Sequence, residues 1–275
     1  MSTGGLPAVE VERVAETGST NADLLAWARN APAEVALAPR ALVAERQTAG
    51  RGRLGRRWEA APGASLTFSL AWPFAAGIEL SGLSLAVGVA LAEALDPGPP
   101  GALRIGLKWP NDLWLVGADE PGRKLGGVLI ETVPRGSGRV AVIGIGLNLL
   151  EQRVAGASSG VAWLAEIDAA GAANAPALLE RLAAALAATL HRFEREGFAA
   201  FAVPFSGRDL LRGRTVRCAT AGAAGREGMA TGVSATGELL LRTPAGLEAI
   251  GSGEVSVRLD PDRSASDRRQ TEQPC

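Results

Sequence analysis

The chain has 275 residues, with 28 Lys or Arg, 29 Asp or Glu and one His, for a formal net charge of −1. With 47% hydrophobic and 21% charged residues, it reads as a globular chain of one large domain or a large plus a small one, with enough length to bury a core. The balanced charge argues against a general affinity for nucleic acid or anionic membrane and leaves only a local basic loop open; the pair Cys218 and Cys275 excludes a disulfide framework or a Cys-rich zinc site, and the lone His191 excludes a HExxH site.

Val9 to Glu16 alternates as a strand should, and Ala22 to Arg29 reads as a helix with Ser19 or Thr20 as its N-cap. Ala41 to Glu45 predicts a short strand that runs into a Gly/Arg-rich loop, and Ser65 to Trp72 predicts another strand. Leu83, Val87, Leu91 and Leu95 recur at spacing four and place a buried helix face within Glu79 to Leu95. Strands are then expected at Leu103 to Trp109, Gly126 to Val133 and Arg139 to Leu147, with Gly117 to Arg123 and Pro134 to Gly138 as hairpin connections. Short turns between consecutive strands imply antiparallel pairing. Glu151 to Gly160 reads as irregular, and Ala177 to Glu196 as a helix with Pro176 in its first turn. After about Phe205, five short strands are expected at Thr215 to Thr220, Met229 to Ser234, Glu238 to Arg242, Leu247 to Ile250 and Glu254 to Leu259, which describes a small β-barrel. Asp260 to Cys275 is polar and reads as a disordered tail. No run of ~18 apolar residues suggests a membrane helix, and the first ten residues lack a secretory signal. The expected compartment is therefore the cytoplasm.

Gly50-Arg51-Gly52-Arg53-Leu54-Gly55 matches GxGxxG literally. A dinucleotide site is not expected there, because no helix is predicted to open at the third glycine. As an anion cradle the loop makes sense: the glycines free backbone N–H groups, and Arg51, Arg53, Arg56 and Arg57 put four cations in seven residues. A solvated basic loop and a nucleic-acid contact are the other readings. Of the 28 basic residues 26 are Arg, so Lys108 and Lys124 survive in a chain that otherwise uses Arg. That makes them candidates for roles needing a compact ammonium. Lys108 opens Lys-Trp-Pro-Asn-Asp, with Asn111 and Asp112 in a tight turn. Lys124 precedes Gly126 and Gly127, and Gly144 and Asn148 close a third strand. Ser19, Thr20 and Asn21 at a helix start offer hydroxyls and spare N–H donors, or simply a cap. His191 is expected to face solvent and Cys218 to be a small buried hydrophobe.

Together these segments resemble the biotin protein ligase family. The matching pieces are Ser-Thr-Asn at 19–21, Gln-Thr-Ala-Gly-Arg-Gly-Arg-Leu-Gly-Arg-Arg-Trp at 47–58, Lys-Trp-Pro-Asn-Asp-Leu at 108–113, Lys-Leu-Gly-Gly-Val-Leu-Ile-Glu at 124–131, Gly-Ile-Gly-Leu-Asn at 144–148 and Gly-Glu-Val-Ser-Val-Arg at 253–258. The resemblance implies an α+β fold. A class II synthetase-like catalytic domain with a mixed, largely antiparallel sheet would occupy residues 1–204, an SH3-like β-barrel 205–260 and a disordered tail 261–275. It implies activation of biotin by ATP, with Mg²⁺, to biotinyl-5′-AMP, and transfer of biotin to a lysine of a biotin carboxyl carrier protein such as a subunit of acetyl-CoA carboxylase. Eight residues before the first strand cannot fold a DNA-binding domain, so a monofunctional ligase without DNA or membrane partners is expected, and a homodimer paired through the sheet is plausible.

Residue by residue, the resemblance makes Arg53, Lys124 and Asp112 the catalytic set. Arg53 would hold the biotin carboxylate and the α-phosphate, Lys124 would be the second cation, and Asp112 would orient Mg²⁺ or the transferring group. Ser19, Thr20 and Gln47 would bond the ureido ring, and the Arg51-Gly52-Arg53 segment would fold over the adenylate. Asn148 and the neighbouring glycines would meet adenine, and Arg258 would reach the nucleotide. Asn21, Gly50, Lys108, Asn111, Gly126, Gly127 and Gly144 complete the ligand-contacting set; no residue is assigned as a protein metal ligand. Alternatives are a lipoate or octanoate ligase of the same fold, a non-enzymatic biotin-sensing regulator, and an RNA-binding protein. The lipoate families carry a different Gly-rich, His-containing signature, which is absent.

Overall fold

The computed structural model describes residues 9–32, 34–99, 102–117, 122–152, 160–220, 225–252 and 255–259. Strand β1 (Glu10–Thr17) leads through helix α1 (Thr20–Asn30) to β2 (Arg40–Gln47), and a loop with one 3₁₀ turn at Arg53–Gly55 leads to β3 (Ser65–Phe74). Helix α2 (Leu83–Leu95) follows, then β4 (Ile105–Lys108), β5 (Asp112–Leu115), β6 (Arg123–Arg135) and β7 (Gly138–Asn148). These strands form a seven-stranded sheet in the order β1-β2-β3-β7-β6-β5-β4. β1 and β2 are parallel, joined by the α1 crossover, and every other pair is antiparallel. Helices α3 (Ala169–Ala173), α4 (Ala175–Glu196) and α5 (Ala202–Ser206) precede a second sheet of β8 (Thr215–Thr220), β9 (Arg226–Val233), β10 (Leu239–Thr243), β11 (Gly246–Ile250) and β12 (Val255–Leu259).

Alternation along β3 sorts the two faces of the large sheet. Leu66, Phe68, Leu70 and Trp72 join the main core with α2 and α4 residues, and the Trp72 indole N–H donates to Glu194 Oε1 on α4 at 3.2 Å. On the opposite face Ala71 packs with Leu42, Val133, Val140 and Val142 against Leu24, Leu25 and Ala28 of α1. Helix α1 covers only part of that face, and the remainder is open.

Two expected elements shift. The helix predicted from Glu79 begins at Leu83, because Gly82 is left-handed at φ 76° and a Cβ there would come within 2.5 Å of the Phe198 ring. α2 is also buried on more than its leucine stripe, since Leu85, Ala86, Val89 and Ala92 are covered as well. The stretch predicted as one strand and a long link holds two strands. Trp109-Pro110-Asn111 reverses the chain so that Lys108 faces Asp112 across a β4–β5 hairpin. The predicted irregular stretch at 151–160 and the tail from 261 lie almost wholly, and the tail entirely, outside the described residues.

The free edge of β4 is covered by residues 208–210. Leu107 N–H donates to Arg208 O at 2.7 Å, and Leu210 N–H donates to Leu107 O at 3.0 Å. Gly106 has no side chain because Leu210 occupies that space, 2.3 Å from where a Cβ would be. Arg208 points inward to Asp96 at the end of α2: its Nη1 lies 3.3 Å from Asp96 Oδ2 and its Nη2 donates to Asp96 O at 2.7 Å. Burial alone would raise the Asp96 carboxyl, but the N–H groups of Ile105 and Arg104, together with Arg208, hold it below the usual carboxylate range. A depressed carboxyl contributes stability above its unfolded-state pKa and loses it as pH falls through the folded value. Asp96→Asn strands a guanidinium that is 6% exposed, and should cost about 3–5 kcal/mol in urea unfolding at neutral pH. The gap to the wild type should shrink as pH is lowered below the carboxylate range; a constant gap would show that the charge is irrelevant.

The second sheet is antiparallel throughout, in the order β11-β10-β9-β8-β12. Val216, Cys218, Ala230, Leu239, Leu241, Ile250 and Val257 are its buried apolar side chains. Burial pushes the Cys218 thiol up to about 11 against the nearby Arg226 cation, as suits a packing residue. The β9–β10 turn meets the first sheet, where the Trp109 indole N–H donates to Gly237 O at 3.0 Å. His191 sits on α4, partly exposed beside Arg195. Among the described residues no helix is long and apolar enough to cross a membrane.

Candidate active site

The open part of the α1 face is a cavity of about 500 Å³. Its floor follows from strand alternation: Thr67 from β3, Gly127 and Leu129 from β6, and Gly144, Gly146 and Asn148 from β7. The N-terminus of α1 closes one end. Ser19 caps the helix, its Oγ accepting from Ala22 N–H at 3.5 Å. Thr20, Asn21 and Gln47 stand beside it on the cavity wall. The β4–β5 hairpin and Lys124 form the other end.

At the α1 end the polar groups are chained. Thr20 N–H donates to Gln47 Oε1 at 2.8 Å, and Thr20 Oγ1 lies 3.1 Å from the same oxygen and 2.7 Å from Ser69 Oγ. Ser69 Oγ donates to Asn21 Oδ1 at 2.6 Å, and Asn21 Nδ2 donates to Glu131 Oε2 at 2.9 Å. Gly144 makes room for this, since a Cβ there would fall 2.3 Å from Asn21 Oδ1.

At the other end the charges gather. Lys124 Nζ donates to Asp112 Oδ1 at 2.7 Å, and Lys108 lies 4.4 Å from the centre of the Trp114 ring. The Arg-rich loop folds back on itself: Gly52 N–H donates to Arg56 O at 2.7 Å and Trp58 N–H to Gly50 O at 3.0 Å. Leu54 takes φ 57° at its tip, a conformation that a branched residue adopts only under constraint. The fold-back delivers Arg53 to the hairpin. Its Nη1 donates to Asn111 Oδ1 at 3.3 Å, and its Nη2 donates to Ser252 O in the β11–β12 loop. Burial pulls the Arg53 guanidinium below its ordinary pKa, Asp112 opposes that shift, and Arg56 adds to it; the side chain stays a cation. Arg51 turns away to Glu131 at 3.2 Å. Arg51, Arg53, Arg56, Arg57, Lys108 and Lys124 thus face Glu59 and Asp112 around one cavity. This is a field for an anion.

Two buried polar atoms on the wall, Trp58 Nε1 and Thr67 Oγ1, have no hydrogen-bond partner among the described residues. Trp58 lies against Gly146, where a Cβ would come within 2.3 Å of the indole. A polar, partly flat ligand fits such a wall, because buried polar atoms are normally satisfied.

Of the expected site residues, Ser19, Thr20, Asn21, Gln47, Arg51, Gly52, Arg53, Lys108, Asn111, Asp112, Lys124, Gly127, Gly144 and Asn148 line the cavity. Gly50 and Gly126 do not. A Cβ on Gly50 would fall 2.5 Å from Trp58 O, and one on Gly126 would fall 2.5 Å from Gly146 O, so both glycines serve close packing of chain against chain. Arg258 belongs to β12 opposite Arg217, and its side chain lies outside the described residues. Sequence reasoning missed Thr67, Ser69 and Glu131. The first two were detectable as polar residues at alternate positions of a strand whose other face is apolar.

Residues 31–148 match the model of the biotin/lipoate A/B protein ligase family, and residues 213–258 match the biotin protein ligase C terminal domain. The biotin--[acetyl-CoA-carboxylase] ligase of Paracoccus denitrificans is 32% identical over 246 residues, covering 88% of this chain and 98% of that protein. The chain belongs to the biotin protein ligase family. The bifunctional ligase/repressor BirA of Escherichia coli is 34% identical over 220 residues, which cover 79% of this chain but 66% of that protein. Among solved structures, the biotin protein ligase of Aquifex aeolicus in complex with biotin and ATP superposes with a TM-score of 0.72 at 28% identity, over 91% of this chain and 99% of that one.

Proposed function

We infer that this chain joins biotin to ATP and then to a lysine of a biotin carboxyl carrier protein. The observation that carries the reading is the pairing of Arg53 and Lys124 around the Asn111-Asp112 turn, at the end of the cavity opposite the hydrogen-bonding chain. In the first step a carboxylate oxygen of biotin attacks the α-phosphorus of ATP, a P–O bond breaks and pyrophosphate leaves. Two anions must approach to ~3–4 Å in a site from which water is excluded, so fixed cations are required. Arg53 and Lys124 supply them. In the second step the ε-amine of the carrier lysine attacks the acyl carbon, an amide forms, and AMP leaves as the amine gives up a proton. No side-chain nucleophile is needed, which agrees with His191 lying on α4, away from the cavity.

Biotin's bicyclic head suits the α1 end, where Ser19, Thr20 and Gln47 would meet its ureido group and Trp58 its ring. Adenine suits the floor near Gly146 and Asn148. Magnesium would travel with the triphosphate, since it favours one or two carboxylates plus phosphate oxygens. Asp112 fits that role, and its present partner is Lys124. The chain would divide near residue 204 into this unit and an SH3-like barrel, a reading supported by the five short antiparallel strands of the second sheet. A reaction that consumes ATP would take place in the cytoplasm.

The test supplies ATP, Mg²⁺, an apo carrier domain and either labelled biotin or labelled lipoate. Pyrophosphate release and carrier labelling should depend on biotin and not on lipoate. Equal turnover with lipoate, or none with biotin, would overturn the assignment in favour of a lipoyl or octanoyl ligase or a non-enzymatic sensor.

A further inference from the structure

The chain of polar groups at the α1 end has a direction that its own geometry dictates. Both ends are fixed. Glu131 has no proton to give, so Asn21 must turn its Nδ2 toward it at 2.9 Å, also reaching Leu129 O at 3.3 Å, and present Oδ1 to Ser69. At the far end the Thr20 N–H, which can only donate, fixes Gln47 Oε1 as an acceptor. Two hydroxyls, Ser69 and Thr20, lie between two acceptor oxygens, and the three contacts along the way measure 2.6, 2.7 and 3.1 Å. Two hydroxyls carry two protons. One contact therefore lacks a proton, and the long one is where the lack falls. Ser69 gives its proton to Asn21 and Thr20 gives its proton to Ser69. Thr20 Oγ1 and Gln47 Oε1 are left side by side with unused acceptor capacity, at residues that line the cavity.

Turning Asn21 over would end the shortage. Its Nδ2 would donate to Ser69, Ser69 to Thr20 and Thr20 to Gln47, so that the chain satisfied itself. Glu131 is the stronger block to this, because Asn21 Oδ1 would then face a carboxylate oxygen at the 2.9 Å contact; Leu129 O, at 3.3 Å, opposes it more weakly.

We propose that Glu131 is a positioning residue that keeps this chain one proton short, so that the cavity demands a ligand N–H at Thr20 and Gln47 and discriminates against acyl groups that have none. The proposal rests on reading the cavity as a biotin site. A ureido ring brings N–H groups; a dithiolane or an alkyl chain brings none and would leave the buried Thr20 Oγ1 without a donor, the condition that gives polar sites their strongest rejection.

The test is Glu131→Gln, which keeps the shape but offers an amide that can donate to a turned-over Asn21. The KM for biotin should rise about tenfold, as for loss of one net hydrogen bond. The KM for ATP should not move, which also reports a folded cationic end. Biotin analogues methylated at either ureido nitrogen should be penalised in the wild type, and the penalty at the nitrogen facing Thr20 should shrink in the variant. Glu131 also holds Arg51 at 3.2 Å, and Ser69→Ala separates the two routes. In that background Glu131→Gln should lose most of its effect on biotin, because the relay is already cut. A full effect in the Ser69→Ala background assigns the role to Arg51 and overturns the proposal. A wild type that turns over biotin while Glu131→Gln behaves identically overturns the relay alone. A wild type that ignores biotin overturns the functional reading and the relay with it.

Discussion

Lys124→Met should slow biotin-dependent pyrophosphate release by about a hundred- to a thousandfold, the range found when one preorganised charge-stabilising group is removed. Biotin affinity should change far less, because the hydrogen-bonding chain lies at the other end of the cavity. Methionine preserves the length and most of the apolar stem, so what is lost is the ammonium that sits 2.7 Å from Asp112. Folding should be almost unaffected, since the pair is partly exposed, with side chains 34% and 22% accessible, and such pairs contribute at most about 1 kcal/mol. Lys124→Arg should recover only part of the rate. A guanidinium is broader and flatter than an ammonium, and this chain, with 26 arginines, keeps lysine at this place. A burst of pyrophosphate in a single turnover is the measurement that isolates the chemical step. If Lys124→Met gives a burst close to that of the wild type, Lys124 is a partner for Asp112 and no more.

The cationic end was legible in the sequence because its residues are rare or clustered there. The two lysines stand out against the arginine background, and four arginines fall within seven residues. Those features survive without any knowledge of the fold. The α1 end was half legible. Ser19, Thr20 and Asn21 announced a helix cap, but Ser69 and Glu131 reach them across 48 to 110 residues of sequence. Only the register of β3, β7 and β6 brings them together. The glycines misled in an informative way. Gly126 and Gly144 look alike beside a ligand site, yet one clears a backbone carbonyl and the other clears the Asn21 amide. Glycine signals close approach, and the sequence does not say by what. The β5 strand was missed because its four residues follow a Pro-Asn turn directly and their register against β6 shifts between Leu113 and Trp114, which leaves too short an alternation to detect.

The joint between the two sheets shows why the second sheet matters to the first. Trp109 and Arg53 each give a hydrogen bond to a backbone carbonyl of the second sheet's turns, Gly237 O and Ser252 O. Val257 of β12 reaches the cavity wall itself. The Arg-rich loop is therefore clamped from two sides, by the β4–β5 hairpin and by the β11–β12 loop.

Arg53→Gly should release biotinyl-5′-AMP into solution while leaving the fold intact. Most of the 26 arginines are surface charges, and removing one such charge changes little. Arg53 differs because it is partly buried, is bonded to Asn111 Oδ1 and Ser252 O, and lies within the electrostatic reach of Asp112. Glycine removes the guanidinium but keeps a backbone that tolerates the loop's fold-back, and it adjoins Leu54, already at φ 57°. The loop can still form; its grip is lost. A charge-assisted hydrogen bond to the adenylate is worth roughly 1.5–3 kcal/mol, so escape should become about ten- to a hundredfold faster. The mixed anhydride that leaves is an acylating agent, and exposed lysines on any nearby protein will attack it. The experiment mixes the variant with ATP, biotin and an unrelated protein such as an albumin, and blots for biotin with time. Bystander labelling should rise well above that of the wild type, while thermal unfolding stays close to it. If bystanders are labelled no faster and the adenylate dissociates at the wild-type rate, Arg53 is a loop-closing residue whose bonds to Asn111 and Ser252 are its whole function, and the cation that meets the α-phosphate must be sought among Arg51, Arg56 and Lys108.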